Sequence, residues 1–95
     1  MSRLTKEARG RECMVRLPCC NHNPETTVLA HYRLAGTCGV GMKPNDLQGA
    51  WACSACHDEI DRRTRIFENE FVRLAHAEGV IRTQDMLIKE GKIKL

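Results

Sequence analysis

Aromatic side chains are scarce in this chain, with one tryptophan, one tyrosine and two phenylalanines among 95 residues. So short a chain with so few large rings has a thin hydrophobic core, which points to support from a metal ion or a partner chain. Long apolar runs are missing too: nothing approaches the roughly 20 residues that a membrane-crossing helix needs. The first residues, MSRLTKEARGREC, are charged where a secretory signal would be apolar, as in a cytoplasmic protein. Proline is rare, with three in all, and no repeat or low-complexity tract interrupts the chain. The length suits a single domain over residues 1–95 rather than two.

Cysteine is the exception to this scarcity. Six are present: Cys13, Cys19, Cys20, Cys38, Cys53 and Cys56. In an oxidising compartment that density would mean disulfides, whereas in a reducing one it points to metal binding or catalysis. The net charge of +3 and the pI of about 8.6 are compatible with a nucleic-acid partner without singling one out.

The local pattern predicts a small α+β domain. Residues 3–12 are helix-prone and charged, with Gly10 ending the segment. The run CMVRL reads as a strand stub, followed by turns through Pro18, Asn21, Asn23 and Pro24. TTVLAHYRLA, residues 26–35, suits a strand, with Val28, Ala30 and Tyr32 facing one way and Leu29, His31 and Arg33 the other. Residues 36–48 hold three glycines, a proline and an Asn-Asp pair, and read as a loop long enough to be functional. GAWAC, residues 49–53, is a second strand pairing with the first. Ser54 is the expected N-cap of a helix over Ala55 to Arg65. Beyond it come an amphipathic helix broken at Gly79 and a short last helix, capped by Thr83 and closed by Gly91.

Cys53 and Cys56 have the spacing with which a zinc knuckle supplies two ligands from one turn. Cys13 and Cys20, brought together by the proline and asparagine turns, complete the expected quartet around a structural Zn²⁺. Cys19 is then a spare thiol and Cys38 incidental. A redox Cys-x-x-Cys would follow a strand in a βαβ unit, and no such pattern exists here.

Of four histidines, His76 reads as a packing or surface residue on the amphipathic helix, and His22 as a turn residue able to stand in as a zinc ligand. His31 sits on the first strand, before the glycine-rich loop, and His57 directly follows Cys56 on the first turn of the helix. If the strands form a hairpin and the helix folds across it, the two imidazoles converge on one cleft. There one can take a proton from water while the other holds a metal.

The ordered elements AHYR, PNDLQ and CSACH resemble the HNH nucleases of the ββα-metal class. The stretches NPETTVLAHYRLAGTCGVGMKPNDL and WACSACHDEIDRR resemble more narrowly the YbcO family of prophage-encoded nucleases, similar in turn to Ref, a phage nuclease that acts with RecA. This resemblance implies a zinc-stabilised ββα-metal core over residues 13–65 with a C-terminal helical extension over 66–95. It implies a DNA endonuclease in which His31 is the general base, His57 holds a catalytic Mg²⁺ or Mn²⁺, and Asp46, or its neighbour Asn45, orients the base or helps to hold that metal. It also implies RecA or another recombination protein as a partner. Backbone phosphates would need cations, for which Arg33, Lys43 and Arg62 are the candidates, with Arg63 and Arg65 beside them. On a helix, however, Asp58–Arg62, Glu59–Arg63 and Asp61–Arg65 are also i,i+4 pairs of a solvated face. Many members of the class carry a metal-binding His or Asp just before the base, where this chain has Ala30. That departure motivates the rival reading, a zinc-stabilised module that binds DNA or a recombination protein without cutting.

Overall fold

The structure is a computed structural model, and it describes residues 3–39, 41–42 and 44–93. Its elements run α1 (Arg3–Glu7), β1 (Val28–His31), β2 (Gly49–Ala52), α2 (Ser54–Ile60) and α3 (Asn69–Lys89). Single 3₁₀ turns at Pro24–Thr26 and Asp46–Gln48 lead into β1 and β2. Among the described residues no helix is long and apolar enough to cross a membrane.

The two strands pair antiparallel, with Val28 opposite Ala52, Leu29 opposite Trp51, Ala30 opposite Ala50 and His31 opposite Gly49. The strand expected over 26–35 is thus only four residues long, although Tyr32 N–H still donates to Gln48 O at 2.8 Å beyond its end. Opposed residues share a face, so Ala30 and Ala50 look one way and Leu29 and Trp51 the other. Each face has its own core: Ala30, Ala50, Ala52, Val15, Leu17, Cys53, Cys56 and Val72 on one side, and Leu29, Trp51, Ala8, Met14 and Leu87 on the other. Splitting the apolar residues over two faces is how a chain so poor in rings covers a sheet of two strands.

Helix α3 corrects the expectation of two helices. It is continuous for 21 residues, because Gly79 and Thr83 are buried contacts and not boundaries. A Cβ at Gly79 would lie 3.0 Å from Val15 Cγ2, 3.1 Å from Val15 Cα and 3.2 Å from Met14 O, so the missing side chain lets the helix close onto the segment before β1. Thr83 Oγ1 accepts the Trp51 N–H at 3.0 Å. On the same strand Met14 N–H donates to Trp51 O at 2.7 Å, although the strand stub expected over CMVRL does not form, the chain bending at Met14 and Val15. Val72 near the start of α3 enters one core and Leu87 near its end the other.

Two further expectations change. Helix α1 is one short turn and not a helix over 3–12. It is tied to the far end of the chain by Arg11, whose guanidinium bonds Glu90 at 2.5 and 2.6 Å and Glu7 at 3.0 Å and lies 4.8 Å over the Trp51 ring. Helix α2 stops at Ile60 rather than Arg65, and Arg62 turns to a φ of +60°, so the salt-bridged helical face does not form as spaced. Arg63 instead bridges to Asp58 and Asp61 at 3.4 and 3.9 Å. Glu59 is fully buried and holds the turn into α3, accepting from Thr64 Oγ1 at 2.6 Å, Phe67 N at 2.8 Å and Ile66 N at 3.1 Å. Burial pushes its carboxyl up, but these donors and Arg62 outweigh that, and its pKa lies below the ordinary value.

Candidate functional site

The four-cysteine cluster is built from both ends of the ββα segment. Cys53 is the N-cap of α2, a place expected for Ser54, and its Sγ accepts the Cys56 N–H at 3.4 Å. Ser54 instead fastens the upstream turn: its N–H donates to Thr26 Oγ1 at 3.1 Å and its hydroxyl accepts from Asn21 Nδ2 at 2.8 Å. That anchor draws Cys20 towards Cys53. The sulfurs of Cys13, Cys20, Cys53 and Cys56 all lie within 4.8 Å of one another, with Cys13–Cys56 at 3.6 Å and Cys20–Cys53 at 3.7 Å. A tetrahedral ion with Zn–S bonds of 2.3 Å has S–S edges of about 3.8 Å, so the quartet fits a metal ion such as zinc.

Its protonation chemistry agrees. Shared hydrogen bonding with Cys56 draws the Cys13 thiol down to about 4 and pushes Cys56 up, while burial, with the Cys53 and Cys13 sulfurs, raises Cys20 to about 11. Packed this closely, the thiols cannot all ionise unaided, and a cation removes the conflict. Cys19 and Cys38 stand outside the group. His22 Nδ1 lies 3.8 Å from Cys20 Sγ, beside the cluster and not within it.

The second site lies where β1, α2 and α3 meet. His31 is the last residue of β1, and its register opposite Gly49 puts it beside the turn that feeds β2. Gly49 has no room for a side chain, since a Cβ would sit 2.5 Å from Leu29 Cγ. In that turn Asn45 Oδ1 caps the Leu47 N–H at 2.9 Å, while Asp46 Oδ1 lies 2.8 Å from His31 Nε2. The two neighbours divide the work: Asn45 holds the turn and Asp46 meets the imidazole. A carboxylate oxygen only accepts, so Nε2 donates, and in the neutral ring Nδ1 is the nitrogen left with a lone pair.

A cleft of about 150 Å³ opens beside them, lined by His31 at the end of β1, Tyr32 and Arg33 after it, Asp61 after α2, and Asn69 and Arg73 on α3. His57 is not among the residues that line it, so the two imidazoles do not meet in one cleft as expected; His57 reaches it only through Asp61, whose Oδ2 lies 3.3 Å from His57 Nε2. Among the described residues, the four cysteines are the one group of three or more His, Cys, Asp or Glu side chains close enough to hold an ion. The histidines thus form two carboxylate pairs, His31–Asp46 and His57–Asp61. Ala30 is buried at 2% exposure among Val15, Leu17 and Val72, so the position before His31 faces the core and not the cleft.

Of the expected cations, Arg33 lines the cleft. Arg62 is tied inward, donating to Phe67 O at 3.2 Å and lying 3.6 Å from Glu59. Lys43 lies outside the described residues. Local patterns missed Arg73, which sits over the Tyr32 ring at 4.7 Å, one α3 turn from His76. His76 is buried and donates through Nε2 to Ala30 O at 2.8 Å, with its ring 5.0 Å from that of Tyr32. Burial pushes its pKa below the ordinary value, Arg73 and His57 add to that, and the Ala30 carbonyl opposes it. The packing role read for His76 holds.

The family described as "Putative nuclease YbcO" matches residues 2–92. Two proteins of that description, from Escherichia coli K12 and from Enterobacteria phage 82, are each 58% identical over 95 residues, 99% of either chain. A solved structure from Escherichia coli K-12, titled as that of "a putative bacteriophage protein", superposes with a TM-score of 0.81 at 53% identity, covering 93% of this chain and 99% of that one. With four sulfurs gathered at the head of α2, a histidine–aspartate pair at the end of β1, and a match along almost its whole length, this chain belongs to the YbcO family.

Proposed function

We propose that the protein is a metal-dependent endonuclease that hydrolyses DNA phosphodiester bonds, with His31 as general base and a structural Zn²⁺ on Cys13, Cys20, Cys53 and Cys56. The observation that carries this reading is the 2.8 Å contact between His31 Nε2 and Asp46 Oδ1 at the rim of a cleft that also bears Arg33 and Arg73.

In this reading Asp46 holds His31 in the tautomer whose Nδ1 accepts a proton from the attacking water. Arg33 and Arg73 bind the phosphate and stabilise the charge that builds on it. His57 and Asp61, an imidazole and a carboxylate 3.3 Å apart, are the donors for a catalytic ion, as few as Mg²⁺ or Mn²⁺ takes when water and phosphate complete the shell. When bound there, that ion would supply further neutralisation of the phosphate. Asp46 is engaged by His31, which makes it the orienting group. Action alongside RecA is an implication of the resemblance alone.

A supercoiled-plasmid nicking assay with Mg²⁺ and Mn²⁺ tests the proposal. Nicking that depends on the metal and is lost in His31→Ala is the expected result. A protein inert under both ions, with or without RecA, or a His31→Ala variant as active as the parent, overturns it. The second reading, a binding module that does not cut, is favoured by the lack of a second three-donor group among the described residues. It predicts salt-dependent DNA binding that survives His31→Ala.

A further inference from the structure

The four sulfurs of the cysteine quartet are unequally protected. Cys53 and Cys56, at the head of α2, are 0% exposed and packed in the core, whereas Cys13 and Cys20 are half-buried. These two share the wall of a hollow of about 350 Å³ with Glu12, Arg16, His22 and Pro24, and neither α2 cysteine lines it. His22 lies against Cys20, its Nδ1 3.8 Å from the Sγ. It does so from a left-handed backbone conformation, φ +56°, that glycine adopts more readily. A side chain held at such a position points to a task for that side chain. Cys19, though next to Cys20 in sequence, packs against the core and does not line the hollow.

We propose that Cys13 and Cys20 are the oxidation-sensitive edge of the metal site, where a hydroperoxide entering the hollow joins them in a disulfide and strips the quartet of its ion. The proposal rests on the zinc reading of the quartet and not on DNA cleavage. One of the two sulfurs attacks the peroxide: an S–O bond forms, the O–O bond breaks, and an alkoxide or hydroxide leaves. The other thiolate, within 4.8 Å, then displaces hydroxide from that sulfur. In sum two thiolates, one hydroperoxide and two protons from solvent give one disulfide, one alcohol and one water, or two waters from hydrogen peroxide. The cysteines lose two electrons and the peroxide gains them, with none taken from or given to Zn²⁺. With two of four ligands gone, the binding energy that helps to fold the head of α2 is lost. His57, directly after Cys56, loses its anchor with it. By lying against Cys20 and sharing a hydrogen bond with it, His22 slows the first attack.

The test treats the zinc-loaded, reduced full-length protein with hydrogen peroxide. Metal release is followed with a chromogenic chelator, and disulfides are mapped by mass spectrometry after non-reducing digestion. Mapping is repeated in Cys19→Ser, which separates Cys20 from its neighbour. The expected result is loss of the ion in step with a single Cys13–Cys20 disulfide, reversed by dithiothreitol with added Zn²⁺. His22→Gly, which keeps the left-handed turn, should release the ion on the order of five- to tenfold faster, the factor that one hydrogen bond accounts for. Thermal melting checks that this variant is folded, and the disulfide map of the parent decides the pair without any variant. A Cys53–Cys56 disulfide formed first, oxidation of Cys19 or Cys38 with the ion retained, or equal release from the parent and a folded His22→Gly overturns the proposal alone. A chain purified without zinc overturns the quartet reading and this proposal with it. Plasmid nicking is scored separately, and its absence leaves the oxidation site standing.

Discussion

Asp46 Oδ1 meets His31 Nε2 at 2.8 Å across fifteen residues of sequence, and the contact depends on the strand register that sets His31 opposite Gly49. If His31 is a general base, His31→Ala lowers the nicking rate by about 10²–10⁴-fold. Asp46→Ala lowers it by less, on the order of 10–100-fold, because the base remains but loses its orienting partner. Asn45→Ala acts only through the turn it caps and leaves the rate of the folded protein near that of the parent. Single-turnover nicking at saturating protein distinguishes the three.

The cysteine quartet predicts one bound zinc per chain, measured by elemental analysis of the purified protein. Cys13→Ser, Cys20→Ser, Cys53→Ser and Cys56→Ser each lose the metal and cooperative unfolding with it, since the binding energy of such a site is folding energy. Cys19→Ser and Cys38→Ser retain it. A metal content unchanged in Cys56→Ser would refute the quartet.

Two substitutions on α3 probe the fold away from the cleft. Thr83→Val leaves the buried Trp51 N–H without its acceptor, a loss of about 1–3 kcal/mol by denaturant unfolding. Gly79→Ala gains up to about 1 kcal/mol in helix propensity, yet its Cβ meets Val15 Cα and Met14 O at 3.1 and 3.2 Å. That segment is pinned by Arg82, which donates to Met14 O, and by the Met14 bond to Trp51. Overpacking of about 1–3 kcal/mol wins, and the variant is less stable than the parent.

Acid should weaken the protein in two stages. His76 has a folded pKa below its unfolded value of 6.5, so the unfolded chain takes up its proton first. The stability linked to it is complete above 6.5 and falls as pH drops through the folded value. Glu7, held low by Lys92 and Arg11, Glu90, held low by Arg11, and Glu59 lie below 4.5. Their contribution is complete above 4.5 and is lost below it. Denaturant unfolding from pH 8 to 4 should show the first slope, and His76→Gln should flatten it.

Much of the site was legible because its signals are local. The Cys-x-x-Cys spacing, the histidine after it and the glycine-rich loop between two short strands each belong to a few consecutive residues. Cys13 and Cys20 were within reach because turn residues lie between them and the strand. Asn45 and Asp46 were not separable by type, since either side chain can cap a turn or bond an imidazole, and only the register settles which does so. Glu59 read as a surface acid because its burial depends on the chain reversing at Arg62 and returning its backbone N–H groups to the carboxylate.

By itself the sequence determined the strand, loop, strand, helix order and the residue types available for metal and proton chemistry, because these follow from spacing and local backbone preference. Tertiary structure alone decided that Gly79 seats a continuous helix, that Asp61 and Arg73 reach the His31 cleft, and that Ala30 faces the core. Those outcomes turn on register and on where one long helix crosses a two-stranded sheet, which are contacts between residues far apart in the chain and leave no periodic mark on any short stretch of it.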